Sequence, residues 1–266
     1  MRLLSKHGIC AFLISSILTC SFYAFSITPE QNSDLSYYIK TVKHSAANGS
    51  VKDQAILGSL YITAGDSKEA IRWYKLAAEN GDTDSQAMLA SLFYEGSNYG
   101  VDADIKEAIK WANIAANKGN VDSQTILARI YHEGNGVPQD YKEAFKWMNL
   151  AAQQGHTQAQ CNIGLMYLRG QGVKKNAVEA SSWFKLCAKQ NNSSCQYYLA
   201  ASYSVGWGLI EDAVLAHMWA NLAAANGDEN AIKLRKNLAE TMTSEQIAEA
   251  QKMARDCKNS NFQKCS

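Results

Sequence analysis

Along most of the chain, apolar and small residues recur at helical rather than strand spacing. In segment 140–154, DYKEAFKWMNLAAQQ, Ala144, Trp147 and Ala151 stand at i, i+3 and i+7 on one helical face, with polar residues between them. Segment 157–169, TQAQCNIGLMYLR, places Ile163, Met166 and Tyr167 in a second stripe, with Gly164 as a point of close approach. Asp140 precedes Glu143 by three, which predicts a capping-box-like helix start, and Asp66/Glu69, Asp104/Glu107 and Asn176/Glu179 repeat the pair. The first helix is expected to stop at Gly155, where a left-handed backbone is needed. The predicted unit is helix, short turn, helix, Gly-rich turn. Neither helix can bury its stripe alone, so successive pairs must stack.

The unit recurs. Trp73, Trp111, Trp147, Trp183 and Trp219 are spaced by 38, 36, 36 and 36 residues. Ala70, Ala108, Ala144, Ala180 and Ala216 sit three before each Trp, and Gly81, Gly119, Gly155, Asn191 and Gly227 sit eight after it. An aromatic row runs through Tyr61, Phe93, Tyr131, Tyr167 and Tyr203, preceded by the small residues Gly58, Ala90, Ala128, Gly164 and Ala200. These rows are the expected repeat core; small Ala144 and Ala151 let a neighbouring helix approach closely, with Trp147 filling the space beside them. The predicted fold is all-α: a right-handed α-solenoid of stacked antiparallel helix pairs. About five repeats are expected over 52–228, with a capping helix in 27–51 and two capping helices and a tail in 229–266.

The rows resemble the Sel-one-like repeat family, a relative of the tetratricopeptide repeat. The fourth repeat matches best, through Ala159, Gly164, Tyr167, Gly170, Gly172, Val173, Ala180 and Trp183. The resemblance spans about residues 52–256. The first repeat departs from it by lacking the Gly-x-Gly-Val turn, and the second carries two extra residues around Asn98-Tyr99. The resemblance implies a non-catalytic scaffold or adaptor for protein–protein interaction, in envelope assembly, signalling or contact with host cells.

Composition narrows the classes. Lys and Arg total 26 against 25 Asp and Glu, for a formal net charge of +1, and no Lys/Arg block occurs. That argues against nucleic acid as a partner. The two prolines, Pro29 and Pro138, leave long helices uninterrupted. Residues 1–26 read as a bacterial-type export signal: Arg2 and Lys6, an apolar run from Ile9 to Leu18, then Ala24-Phe25-Ser26 before a cleavage point. The mature chain would start at Ile27, in the periplasm or outside the cell. Membrane contact is expected only if that segment stays uncleaved as an anchor or Cys20 is lipidated. Thr19 makes a poor lipobox for the second route.

Five cysteines remain after residue 26. Cys187 takes a late slot in one helix and Cys195 an early slot in the next, across the Asn191 turn, so a bridge is plausible. Cys257 and Cys265 have the same spacing, in a polar tail, KNSNFQKCS, expected to fray and to bridge less securely. The spacing resembles a cysteine-rich subfamily of the same repeat, in which such a pair staples a helical hairpin. Cys161 is left over, as a buried thiol. Zinc at Cys187 and Cys195 lacks further ligands.

Catalytic patterns are weak, and no cofactor is expected. Ser182-Trp183-Phe184-Lys185 matches the Ser-x-x-Lys of penicillin-binding enzymes, but the companion Ser-Asp-Asn and Lys-Thr-Gly elements are missing. A β-lactam-binding or peptidoglycan-associated protein is the alternative reading. Asp82-Thr83-Asp84 and Asp102-Ala103-Asp104 begin like calcium loops and continue like helix caps. His132 and His156 are expected in solvent. Trp207 breaks register, between Gly206 and Gly208 where other repeats carry Asn135 or Gln171. It either contacts a protein or peptide partner or folds back onto its own helix.

Overall fold

A computed structural model describes residues 29–265. The export segment 1–26, with Cys20 and the cleavage point before Ile27, lies outside the described residues. Helices make up the regular structure, and no strand occurs among the described residues. The described residues divide into two compact units, one ending at Ile114 and the other starting at Ala115.

The first unit holds α1 (Pro29–Ala47), α2 (Val51–Thr63), α3 (Ser67–Glu79) and α4 (Thr83–Glu95). A 3-10 turn (Gly96–Tyr99) and most of α5 (Ile105–Asn117) follow. Helix α1 packs on α2, α2 on α3 and α3 on α4, and α4 packs on the 3-10 turn. Ala46 of α1, Leu57 of α2 and Trp73 of α3 meet in one apolar cluster, flanked by Ile39, Val42, Leu60 and Tyr61.

The second unit begins in the last turn of α5. It continues through α6 (Val121–Glu133), α7 (Tyr141–Gln153), α8 (Thr157–Arg169), α9 (Ala177–Ala188), α10 (Ser193–Val205) and α11 (Ala213–Ala225). It ends with α12 (Glu229–Ala239) and α13 (Ser244–Asn259), both packed directly on α11.

Helix starts are set by side chains. Asp66, Asp140, Asn176 and Asp212 cap α3, α7, α9 and α11, accepting backbone N–H groups of the first turn. A cap of this kind contributes about 1 kcal/mol. The expected reciprocal boxes are not formed at Asp66, Asp104 or Asp140. Glu69, Glu107 and Glu143 turn instead to Arg72, Lys110 and Lys146, at 3.4, 3.1 and 3.2 Å. The box is also absent at Asn176/Glu179, where no cation follows, because the N–H of all four cap residues is already donated to the carbonyl of an aromatic in the preceding helix. The reciprocal box does form at Thr243/Gln246, where the cap N–H is free to donate to Gln246 Oε1 at 2.9 Å. Helix ends follow the register: Gly155 has φ +86° and Asn191, its stand-in, +61°.

The aromatic row acts through its backbone. The carbonyls of Tyr61, Phe93, Tyr131, Tyr167 and Tyr203 each accept the N–H of the next helix's cap residue, Asp66, Asp104, Asp140, Asn176 or Asp212, at 2.8–3.0 Å. Every Gly-rich turn is thereby tied at the same two points. The side chains are mostly half-buried, with Phe93 the deepest.

The small-residue row is a line of close approach, and the side chain it meets is the one after the Trp. A Cβ added to Gly58 would lie 2.5 Å from the Tyr74 ring, and one added to Gly164 would lie 2.5 Å from the Phe184 ring. Where Ala replaces the glycine, at Ala90, Ala128 and Ala200, the residue after the Trp is the non-aromatic Ala112, Met148 or Ala220. Phe184 is sealed, while Trp183 is only half-buried, unlike Trp73, Trp111, Trp147 and Trp219. Trp73 stays buried beside a filled gap of the same kind, so the aromatic after the Trp does not by itself expose the indole.

A row of buried glutamines holds successive helices in register. Gln54, Gln86, Gln124, Gln160 and Gln196 each donate Nε2 to the carbonyl eight residues earlier, from Ala46 to Ala188, at 2.9–3.3 Å. In the second unit a further amide closes each link. Gln154 donates to Gln124 at 2.9 Å, Gln190 to Gln160 at 2.8 Å, and Asn226 to Gln196 at 3.4 Å.

The tail is also corrected: it is docked, not frayed. Asn261 and Phe262 take left-handed backbone, φ +51° and +63°, and turn the chain back. Phe262 donates its N–H to the Cys257 carbonyl at 2.9 Å. Its ring and Cys265 are buried with Trp219, Ala250 and Ala254. One aromatic side chain anchors a segment whose composition is otherwise polar.

Candidate functional site

The exposed face of α9 and the turn beside it depart most from the repeat. The α10–α11 turn is built so that it lies on the start of α9. Gly206 closes α10 in a left-handed conformation, and Ser181 Oγ donates to the Trp207 carbonyl at 2.6 Å. Gly208 passes so close to the backbone of Ala177 and Val178 that a Cβ there would strike the Ala177 carbonyl. The backbone of Trp207 is thus fixed while its indole is 48% exposed, with Ile210 in the same turn 89% exposed. On α9 itself Val178 is 59% and Leu186 52% exposed, two turns apart on one face, with Ser182 between them.

In earlier repeats this face is charged. Val178 stands where Lys68, Lys106 and Lys142 stand, and Ser182 where Arg72, Lys110 and Lys146 stand. Those three cations lie over the rings of Trp73, Trp111 and Trp147 at 5.8, 4.9 and 5.2 Å. The ion pairs are exposed and each contributes under about 1 kcal/mol, so their loss at α9 costs little stability. One repeat later the same stripe is Val214, Met218 and Leu222 on α11. There it is covered: Met218 and Leu222 are buried in the cluster that holds Ala250, Ala254 and Cys257 of α13.

A second concavity, of about 250 Å³, lies among α6, α7 and α8. Arg129, His132, Asn162 and Arg169 line it together with Met148 and Leu165.

Among the described residues two disulfides occur. Cys187–Cys195 spans the α9–α10 turn with Cα atoms 5.7 Å apart, and Cys257–Cys265 joins α13 to the tail at 4.5 Å. Bonded to each other, Cys187 and Cys195 are not zinc ligands. Among the described residues no group of three or more His, Cys, Asp or Glu could hold a metal ion. Asp82 and Asp104 cap helices by accepting from Ser85 N–H and Glu107 N–H. Ser182 faces solvent in mid-helix and donates its hydroxyl to the Val178 carbonyl at 3.0 Å, away from Lys185. His156 is half-buried and not simply solvated, because its Nδ1 caps α8 by accepting the Ala159 N–H at 3.2 Å. His217 is sealed in α11, where burial, then the Arg235 charge, lowers its pKa and keeps the imidazole neutral at pH 7. Neither histidine role has a sequence signature.

Cys161 is a free, buried thiol, and burial pushes its pKa up to about 11. The thiolate is the reactive form, so Cys161 should resist iodoacetamide at pH 8 in the native protein. It should be alkylated fully in guanidinium. Mass spectrometry of the Cys161 peptide reads both states, and rapid native labelling would contradict the burial.

The chain belongs to the Sel1 repeat family: five repeats match at residues 56–82, 83–120, 121–156, 157–192 and 193–228. Proteins of this family generally mediate protein–protein interaction and are non-catalytic scaffolds. Among solved structures, the chain is similar to c5321, a protective antigen present in uropathogenic Escherichia coli strains that displays an SLR fold. The identity is 28% and the TM-score 0.74, over 84% of this chain and 50% of that one. The chain therefore spans about half the length of that antigen. It is also similar to a Sel1 repeat protein from Oxalobacter formigenes, with 28% identity and a TM-score of 0.67 over 82% of this chain and 91% of that one. No protein with a curated description matches the sequence.

Proposed function

We propose that the protein is an exported bacterial scaffold that binds a protein partner in the cell envelope or at a host surface, with Trp207 in the contact. The observation that carries this reading is the Trp207 turn. Its backbone is pinned to α9 while its indole stays half in solvent, at a slot where sister repeats carry polar Asn135 or Gln171. Large rigid aromatics on a fixed backbone are the residues that dominate protein interfaces. The two disulfides support an oxidising compartment. Among the described residues no helix is long and apolar enough to cross a membrane.

Cross-linking in intact cells followed by affinity capture tests the reading. Trp207→Ala should lose the captured partner at least tenfold with an unchanged melting temperature, and equal recovery would reject Trp207 as a contact. Export is tested on the same material. The mature N-terminus should be Ile27, and peptide mapping without reduction should return Cys187–Cys195 and Cys257–Cys265 as linked peptides. An intact Met1 with alkylatable thiols would place the protein inside the cell. Purified protein should not turn over nitrocefin, and turnover would favour the β-lactam reading.

A further inference from the structure

We propose that the exposed stripe of α9, Val178, Ser182 and Leu186 with Trp207 at its head, is a docking groove for an amphipathic helix bearing acidic side chains, supplied by a partner protein. The inference rests on the scaffold reading and names the partner's chemistry.

The protein supplies its own example of the occupant. The stripe at i, i+4 and i+8 of α11, Val214, Met218 and Leu222, is the α9 stripe shifted by one repeat. It is covered by α13, which packs directly on α11 and buries Ala250, Ala254 and Cys257, at i, i+4 and i+7, in the same cluster as Met218 and Leu222. Small residues on the covering helix let the two axes come close. In the first three repeats two of the three slots carry cations, and the third, Leu76, Ile114 or Leu150, is less exposed than Leu186. On α9 Val178 and Ser182 have replaced those cations, and the stripe stays exposed among the described residues. Val178 to Leu186 spans eight residues, about 12 Å at the helical rise, which a helix of two to three turns covers. Trp207, seated at the first turn of α9, extends the apolar strip at that end.

Charge selects the sign of the partner. Lys185 and Lys189 are exposed on the same face and flank Leu186. Glu179 lies near the other end, without the cation that Glu69, Glu107 and Glu143 have three residues on. An incoming helix with carboxylates beside its apolar stripe meets both lysines when its acidic end lies toward the C-terminus of α9.

The test uses the full mature chain and two designed peptides of 18 residues. Both carry leucine at i, i+4, i+7 and i+11; their remaining exposed positions are Glu-rich in one and Lys-rich in the other. Fluorescence anisotropy should show saturable binding of the Glu peptide and at least tenfold weaker binding of the Lys peptide. The variant Val178→Lys/Ser182→Lys restores what earlier repeats carry. It should keep the melting temperature and lose at least tenfold in affinity for the Glu peptide. No binding, or binding unaffected by the double variant, overturns the groove. Self-association of the wild type that the double variant abolishes would assign the face to a second copy. Co-sedimentation with phosphatidylcholine vesicles through this face would assign it to lipid. Either result overturns the proposal. Failure here with a partner still captured from cells through Trp207 rejects the groove and leaves the scaffold standing. Absence of any captured partner rejects the scaffold itself.

Discussion

Phe184→Ala is expected to lower the stability of the second unit by about 3–5 kcal/mol, the usual cost of deleting a sealed aromatic side chain. The ring fills the only space that Gly164 leaves between α8 and α9, stacks on Tyr198 at 5.1 Å, and has no exposed surface. Gly164→Ala is expected to be unfavourable for the opposite reason. Its new Cβ would press into the Phe184 ring, and overpacking of this kind costs about 1–3 kcal/mol. The two changes answer each other. The Gly164→Ala/Phe184→Ala double variant recreates the small-on-small pairing that the fifth repeat has with Ala200 and Ala220. Its loss should fall short of the sum of the singles by about 1 kcal/mol or more. Urea unfolding of all three variants gives the cycle, and strict additivity would show that the two positions do not share the gap.

Gly172→Ala should be nearly as damaging, and Gly155→Ala should not. Both glycines have positive φ, +71° and +86°. A Cβ on Gly155 would meet nothing within 4 Å, whereas one on Gly172 would run into the Tyr141 carbonyl at the start of α7. Left-handed backbone alone costs an alanine about 1–2 kcal/mol, and that is the whole expectation for Gly155→Ala. At Gly172 the turn must also lift off α7, which adds about 1–3 kcal/mol of strain. In a unit of this size each kcal/mol moves the melting temperature by roughly 2–4 °C. Thermal unfolding should therefore separate the two variants clearly. Equal melting temperatures would show that the turn moves freely on α7.

The parts of this fold that are legible in sequence are those that depend on spacing. Ala144, Trp147 and Gly155 declare a helix, its buried face and its end, and repetition makes the declaration unmistakable. Cys187 and Cys195 stand at matching distances from the Asn191 turn, so their juxtaposition follows from the register. What stays hidden depends on which side chain fills which gap. Trp183 outranks Phe184 in any reading by repetition, yet Phe184 takes the interior place, because the gap is set by Gly164 on another helix. Buried glutamines such as Gln160 look like surface residues until the carbonyl they serve is known. Phe262 is one ring in a polar tail, and its anchoring depends on two left-handed residues, Asn261 and Phe262 itself, of which only the asparagine favours that backbone. The stripe of α9 is visible only by comparison with the cations that Val178 and Ser182 replace.

The amide row also bears on how such a chain can change its length by recombination. Each of the last three blocks hooks onto its predecessor through a main-chain carbonyl, which every helix end offers whatever its sequence, and then closes the hook with an amide of its own, as Gln190 does for Gln160. The hook itself asks nothing of the neighbour's side chains, so a cut in phase leaves these buried amides with the same kind of partner. The seam between the fourth and fifth blocks asks more, because the Cys187–Cys195 bond and the Phe184–Tyr198 stack cross it. The ends are different. Asn80 bonds back to Leu76 at 2.8 Å, and Gln54 keeps a buried Oε1 without a donor. Copy number can thus drift where no side-chain bond spans a seam, while the first block and the disulfide-linked pair cannot be exchanged for their sisters without rebuilding contacts.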